Sequence, residues 1–87
     1  MREIPPAAGV TLLQMVNGLS PRERECLLWI ARGKTYAETS MITGLAYGTV
    51  KTNLDQARYK LNCATLAQAT AVAVAQGIFT PDDLMGR

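Results

Sequence analysis

The chain has 87 residues and a mass of 9.4 kDa, 48% of them hydrophobic and 18% charged. That is room for one small globular domain and too little for separate cofactor and substrate lobes, and the composition excludes a disordered chain. Nine Lys and Arg against seven Asp and Glu leave a net charge of +2, which permits nucleic-acid binding without demanding it.

The absence of histidine excludes a Ser-His-Asp or Cys-His hydrolase and any His-containing zinc site. No enzyme activity, metal or cofactor is expected. Cys26 and Cys63 form no C-x-x-C pair and read as reduced thiols rather than a disulfide.

Residues 1–18 read as an N-terminal tail or linker. Pro5, Pro6 and Gly9 break regular structure, and Thr11 to Asn17 suit a short helical turn ended by Gly18. The opening Met1–Pro6 lacks the apolar core of a signal peptide, and the longest apolar stretch, near Ala69 to Ala75, is too short to span a membrane. A cytoplasmic protein with no membrane partner is expected.

From there the helix starts are unusually clear. Ser20-Pro21-Arg22-Glu23 is a capping box with proline at the first helical position, and it opens a helix that Gly33 stops. Thr35-Tyr36-Ala37-Glu38 is a second box, opening a short helix that ends before Gly44. A third helix is predicted from Ala46 or Tyr47 to Leu61, where Val50, Leu54, Ala57 and Leu61 recur at helical spacing. Thr65-Leu66-Ala67-Gln68 opens a fourth, ending at Gly77, and Thr80-Pro81-Asp82-Asp83 starts one last turn in a C-terminal tail, 80–87. The fold class is therefore all-α: a small four-helix bundle, 19–79, whose second and third helices meet at Gly44-Leu45-Ala46 as a helix-turn-helix.

Opposite its apolar stripe, the third helix presents Gly48, Lys51, Thr52, Asp55, Gln56 and Tyr59. Such a face reads base edges: lysine donates to guanine, Gln56 pairs with adenine, Thr52 offers a hydroxyl and a methyl, and Asp55 accepts from cytosine N4. An equally simple reading is a solvated face with Lys51 and Asp55 paired at i, i+4. Lys34 and Thr35 stand at the start of the short helix, where free amides attract phosphate. Residues Ser20 to Cys63 hold seven basic and four acidic residues, so the positive charge is concentrated there. Trp29 and Tyr36 read as packing residues. The fourth helix is rich in alanine. One side must cover the core, and the other leaves an apolar strip for a symmetry mate, with Leu66, Ala69, Ala73 and Gln76 as candidate contacts in the helix 66–76.

Leu19-Ser20-Pro21-Arg22-Glu23-Arg24-Glu25-Cys26-Leu27, Gly33-Lys34-Thr35, Glu38, Gly44, Thr49-Val50-Lys51, Lys60-Leu61, Gln68-Ala69 and Gly77-Ile78-Phe79 together resemble the LuxR-type (GerE-like) helix-turn-helix DNA-binding domain. Trp29 and the Arg-Glu-Arg-Glu-Cys-Leu run are most similar to the subgroup attached to quorum-sensing receptors. The resemblance implies a four-helix architecture unrelated to winged helices, with the third helix in the major groove of double-stranded DNA. It also implies homodimers on palindromic half-sites through the fourth helix. It assigns DNA contacts to Thr49 and Lys51, phosphate to Lys34 and Thr35, with Tyr47 and Gly48 in the first turn of the recognition helix, a core place to Val50 and an internal brace to Glu25. Such a regulator would contact or obstruct RNA polymerase.

The departures from the family pattern carry expectations too. Thr39 and Ser40 stand where apolar residue and alanine are usual, and weaken packing unless their hydroxyls bond to backbone. Ala46 replaces the usual capping Ser or Thr, a cost of ~1 kcal/mol. Gly48 loosens the first turn of the third helix, Asn53 replaces a frequent histidine, and Asp55 sits where relatives carry a base-reading cation. The family usually carries an upstream ligand-binding or receiver domain, so the chain is expected to be a stand-alone regulator or the C-terminal part of a longer one. Two readings stay open: a DNA-binding transcriptional regulator, or an interaction module that heterodimerises with a full-length LuxR-type regulator and binds DNA weakly.

Overall fold

A computed structural model of the chain describes residues 18–85; the turn expected at Thr11–Asn17 lies outside them. Among the described residues five helices follow one another: α1 Pro21–Ala31, α2 Tyr36–Thr43, α3 Tyr47–Lys60, α4 Leu66–Ala75 and α5 Pro81–Leu84. No strand occurs among the described residues, and no helix there is long and apolar enough to cross a membrane.

Local chemistry starts four of the five helices. The Ser20 hydroxyl accepts from the Glu23 amide at 3.2 Å while the Ser20 amide donates to Glu23 Oε1 at 2.9 Å. Thr35 with Glu38, Thr65 with Gln68 and Thr80 with Asp83 repeat the reciprocal pair. Each box satisfies two amides that a helix start otherwise leaves without partners, a stabilisation of ~1 kcal/mol. Only α3 lacks one: its N-cap is Ala46, which has no side-chain acceptor to offer.

The turn between α2 and α3 depends on Gly44. Its φ of 78° is left-handed, a conformation that strains any residue with a Cβ, and its amide donates to Ser40 O to close α2. The two hydroxyls that replace the usual apolar residue and alanine in α2 are both satisfied. Thr39 Oγ1 donates to Thr35 O at 2.8 Å, and Ser40 Oγ reaches across the turn to Leu45 O at 2.6 Å. Thr39 is therefore buried without an orphaned polar atom. Ser40 also ties α2 to the residue that leads into α3, so the backbone partners on which the packing of these hydroxyls was expected to depend are both present.

α1 is the hub. It packs on α2, α3, α4 and α5, most extensively on α3. The core consists of Cys26 and Leu27 from α1, Val50, Leu54 and Ala57 from α3, Ala69 and Ala73 from α4, and Phe79. Burial raises the Cys26 thiol above its ordinary value, with the charge of Glu25 adding to it, so this cysteine is an inert packing group. Cys63 is also unpaired.

Residues 80–85, expected as a tail, fold back onto α1. Arg24 Nη2 donates to Asp83 Oδ2 at 3.0 Å and to Ile78 O at 3.2 Å, and its guanidinium lies 5.4 Å from the Phe79 ring centroid. Arg32 Nε donates to Asp83 O, while its guanidinium stacks 4.7 Å from the centre of the Trp29 ring. The brace expected at Glu25 belongs to Glu23. Glu23 is buried, and its Oε1 accepts from Lys60 Nζ at 2.9 Å, linking α1 to the end of α3. Glu25 remains near the surface, 4.0 Å from Arg22.

Candidate nucleic-acid interface

α3 turns Val50, Leu54 and Ala57 inward, and all three are fully buried. Helical geometry then fixes what faces out: Gly48, Thr49, Lys51, Thr52 and Gln56 are exposed, as is Tyr47 in the first turn, and Asp55 is half-exposed. Tyr59 continues the same face one turn on and is 83% exposed. It lies on the outward face where the sequence placed it, three residues after Gln56 and seven after Thr52.

The face is charged in a particular way. Lys51 Nζ lies 3.2 Å from Asp55 Oδ2, and Arg58 Nη2 lies 3.8 Å from Asp55 Oδ1. Arg58 Nη1 also donates to Cys63 O at 3.3 Å, beyond the end of the helix. The i, i+4 pairing read from sequence is therefore present, and it lies on the outward face of α3. Asn53, in place of the frequent histidine, spends its side-chain amide on Thr49 O at 2.9 Å.

The start of α3 is chemically open. No side chain accepts from its first-turn amides, and no acidic residue stands there. Gly48 has nothing within 4 Å of where a Cβ would sit, so the backbone can be approached closely. Partial positive charge on these amides suits phosphate. α2 begins beside it, with the rings of Tyr36 and Tyr47, the first residue of each helix, 5.9 Å apart. Lys34 and Thr35 are exposed at that start. There, however, the helix supplies its own anion. Glu38 accepts from the Thr35 amide at 2.9 Å, and that hydrogen bond holds its carboxyl below the ordinary range, so it is ionised at neutral pH beside Lys34.

Residues 17–73 match the family model described as "Bacterial regulatory proteins, luxR family". The chain belongs to the LuxR family. It is 47% identical over 60 residues to the HTH-type quorum sensing-dependent transcriptional regulator VjbR of Brucella abortus, covering 69% of this chain and 23% of that protein. It is 39% identical over 66 residues to the transcriptional activator protein AhyR of Aeromonas hydrophila, covering 76% and 25%. It is 39% identical over 62 residues to the transcriptional activator protein EsaR of Pantoea stewartii, covering 71% and 25%. The match thus spans about a quarter of the length of these curated relatives. The LuxR family is one of bacterial transcriptional regulators, not of enzymes.

In this LuxR-family domain the outward side of α4 differs from expectation. Ala69 and Ala73 are fully buried in the core, so neither is free to touch a second molecule in the folded monomer. Leu66 is half-buried against the same core, and Gln76 is exposed at the C-cap. The exposed strip is Ala67, Ala71, Val74 and Ala75. The helix is apolar on nearly every side, and its periodicity therefore did not distinguish the inward stripe from the outward one.

Proposed function

We propose that the chain is a sequence-specific DNA-binding module of a transcriptional regulator, with the exposed face of α3 lying in the major groove. The observation that carries this is a recognition-type helix with its apolar stripe fully buried and Lys51, Thr52, Asp55, Gln56 and Tyr59 presented together on the outside. Lys51, Thr52, Asp55 and Gln56 read base edges, and the open first turn at Tyr47, Gly48 and Thr49 sits against phosphate, with Lys34 and Thr35 as a flanking contact.

Two such modules pair through the exposed strip Ala67, Ala71 and Val74, with Gln76 at its end, and so address palindromic half-sites. The name of VjbR supports a place in quorum-sensing transcription control, and those of AhyR and EsaR a role in activating transcription; the module would work in the bacterial cytoplasm, acting on RNA polymerase as activator or obstacle.

Anisotropy titration with a labelled duplex tests the reading. Lys51→Ala should weaken binding by ~1–3 kcal/mol at the cognate site if lysine reads a base, and relax specificity there; unchanged affinity removes that assignment. Sedimentation velocity with Ala71→Glu tests the strip, since a charge placed in the contact should leave only monomer.

A second reading rests on the ion pairs that occupy Lys51 and Arg58: a weak DNA binder that pairs with a full-length LuxR-type regulator. A stable heterodimer together with no DNA binding of its own would select it.

A further inference from the structure

Most of the cations in this domain already have an anion. Arg22 faces Glu25, Arg24 faces Asp83 and Lys60 faces Glu23. Lys51 and Arg58 share Asp55, one on each carboxylate oxygen. Among the described residues, Lys34 is in no ion pair and Arg32 bonds only to a backbone carbonyl and the Trp29 ring. A surface that binds duplex through phosphate alone needs free cations, and here two of the three on α3, Lys51 and Arg58, are paired with one carboxylate in the middle of the same face, Arg58 also reaching Cys63 O.

Resting on the DNA-binding reading, we propose that Asp55 is a selectivity brake. It keeps Lys51 and Arg58 off phosphate on arbitrary sequence and releases them where a base edge offers the carboxylate a donor, as the N4 amine of cytosine does. The geometry supports an exchange of partners. Asp55 stands one turn after Lys51 and one turn before Arg58, at 3.2 and 3.8 Å, and all three side chains are between 35% and 58% exposed. Exposed pairs of this kind are weak and open readily, unlike the Glu23–Lys60 strut, whose carboxylate is buried. On a mismatched base the carboxylate meets acceptors or phosphate and repels them, so the brake stays on. On cytosine its charge is used, and both cations turn to the backbone. Specificity then comes from a repulsive element as much as from an attractive one.

The test compares the wild-type chain with Asp55→Asn, which keeps the shape and removes the charge, and with Asp82→Asn on α5, which changes net charge equally on the helix that packs on α1. Binding is measured to a cognate duplex and to an unrelated duplex of the same length across a salt series, with far-UV circular dichroism verifying the fold. Asp55→Asn should bind the unrelated duplex roughly tenfold more tightly, and log K against log salt should steepen by about 1–2, as one or two further phosphates are neutralised. The preference for cytosine at the facing position should disappear. Asp82→Asn should change neither the slope nor the base preference. Equal slopes for wild type and Asp55→Asn, or an equal gain in Asp82→Asn, overturn the brake while leaving DNA binding intact. Failure of wild type and Asp55→Asn alike to bind any duplex at low salt overturns the DNA-binding reading, and the brake with it.

Discussion

Lys60→Met should destabilise the domain more than Glu23→Gln, although the two substitutions break the same ion pair. Glu23 Oε1 accepts from both the Ser20 amide and Lys60 Nζ, each at 2.9 Å. The glutamate side chain is 4% exposed and the lysine 43%. In Glu23→Gln an amide oxygen still caps α1, and the ammonium is already half in water. The loss is the difference between a charge-assisted and a neutral hydrogen bond, about 1 kcal/mol. In Lys60→Met the carboxylate stays buried with a single backbone donor. Losing one partner of a fully buried pair costs ~3–5 kcal/mol, and the exposure of Lys60 lowers this to about 2 kcal/mol. For a domain of this size each kcal/mol moves Tm by roughly 4–8 °C. Thermal unfolding at pH 7 should therefore show a drop of about 4–8 °C for Glu23→Gln and about 8–16 °C for Lys60→Met. The double variant should be more stable than Lys60→Met alone, because it no longer buries an unpaired charge. A Lys60→Met loss no larger than that of Glu23→Gln, or two additive losses, would refute the assignment of Glu23 as the strut between α1 and α3.

Ala46→Ser should supply the missing cap of α3 and raise stability by ~1 kcal/mol. Gly48→Ala should add up to ~1 kcal/mol, since a Cβ there meets nothing within 4 Å; a fall in Tm for either contradicts the local account. The Asp83 carboxyl is held below its ordinary value, first by the Thr80 amide and then by the Thr80 hydroxyl and Arg24. Its stabilising effect is complete above the unfolded value of ~4 and is lost as pH falls through the lower folded value. Asp83→Asn should therefore have a lower Tm than wild type at pH 7, with the gap closing on acidification below about pH 4. A gap that persists at the acid end would mean that the carboxylate charge contributes nothing.

The parts of this fold legible in the sequence are those set by short-range chemistry. Ser20 with Glu23, Thr35 with Glu38 and Thr65 with Gln68 announce helix starts within four residues, and all three starts are where the boxes put them. Val50, Leu54 and Ala57 give the inward face of α3, and with it the outward one. What escaped depends on the packed chain. Glu23 meets Lys60 and Arg24 meets Asp83 only after α1 has docked on α3 and α5. Local patterns cannot foresee a pairing between helices: the family resemblance put the brace at Glu25 rather than Glu23, and the last turn, legible from Thr80 and Asp83, was placed in a tail rather than against α1. In α4 alanine and valine occupy every side, and only the packed structure distinguishes buried Ala69 and Ala73 from exposed Ala71 and Val74. The hydroxyls of Thr39 and Ser40 were recognised as conditional on backbone partners, and both have them.

Selection from a random duplex library at low salt tests the central claim most directly: the purified protein is incubated with the library and the retained duplexes are sequenced. The account predicts enrichment of a palindrome with half-sites about one helical turn apart, in which single positions depend on Lys51, Thr52, Asp55 and Gln56. Retention without enrichment would leave only phosphate attraction and would contradict sequence-specific recognition by α3.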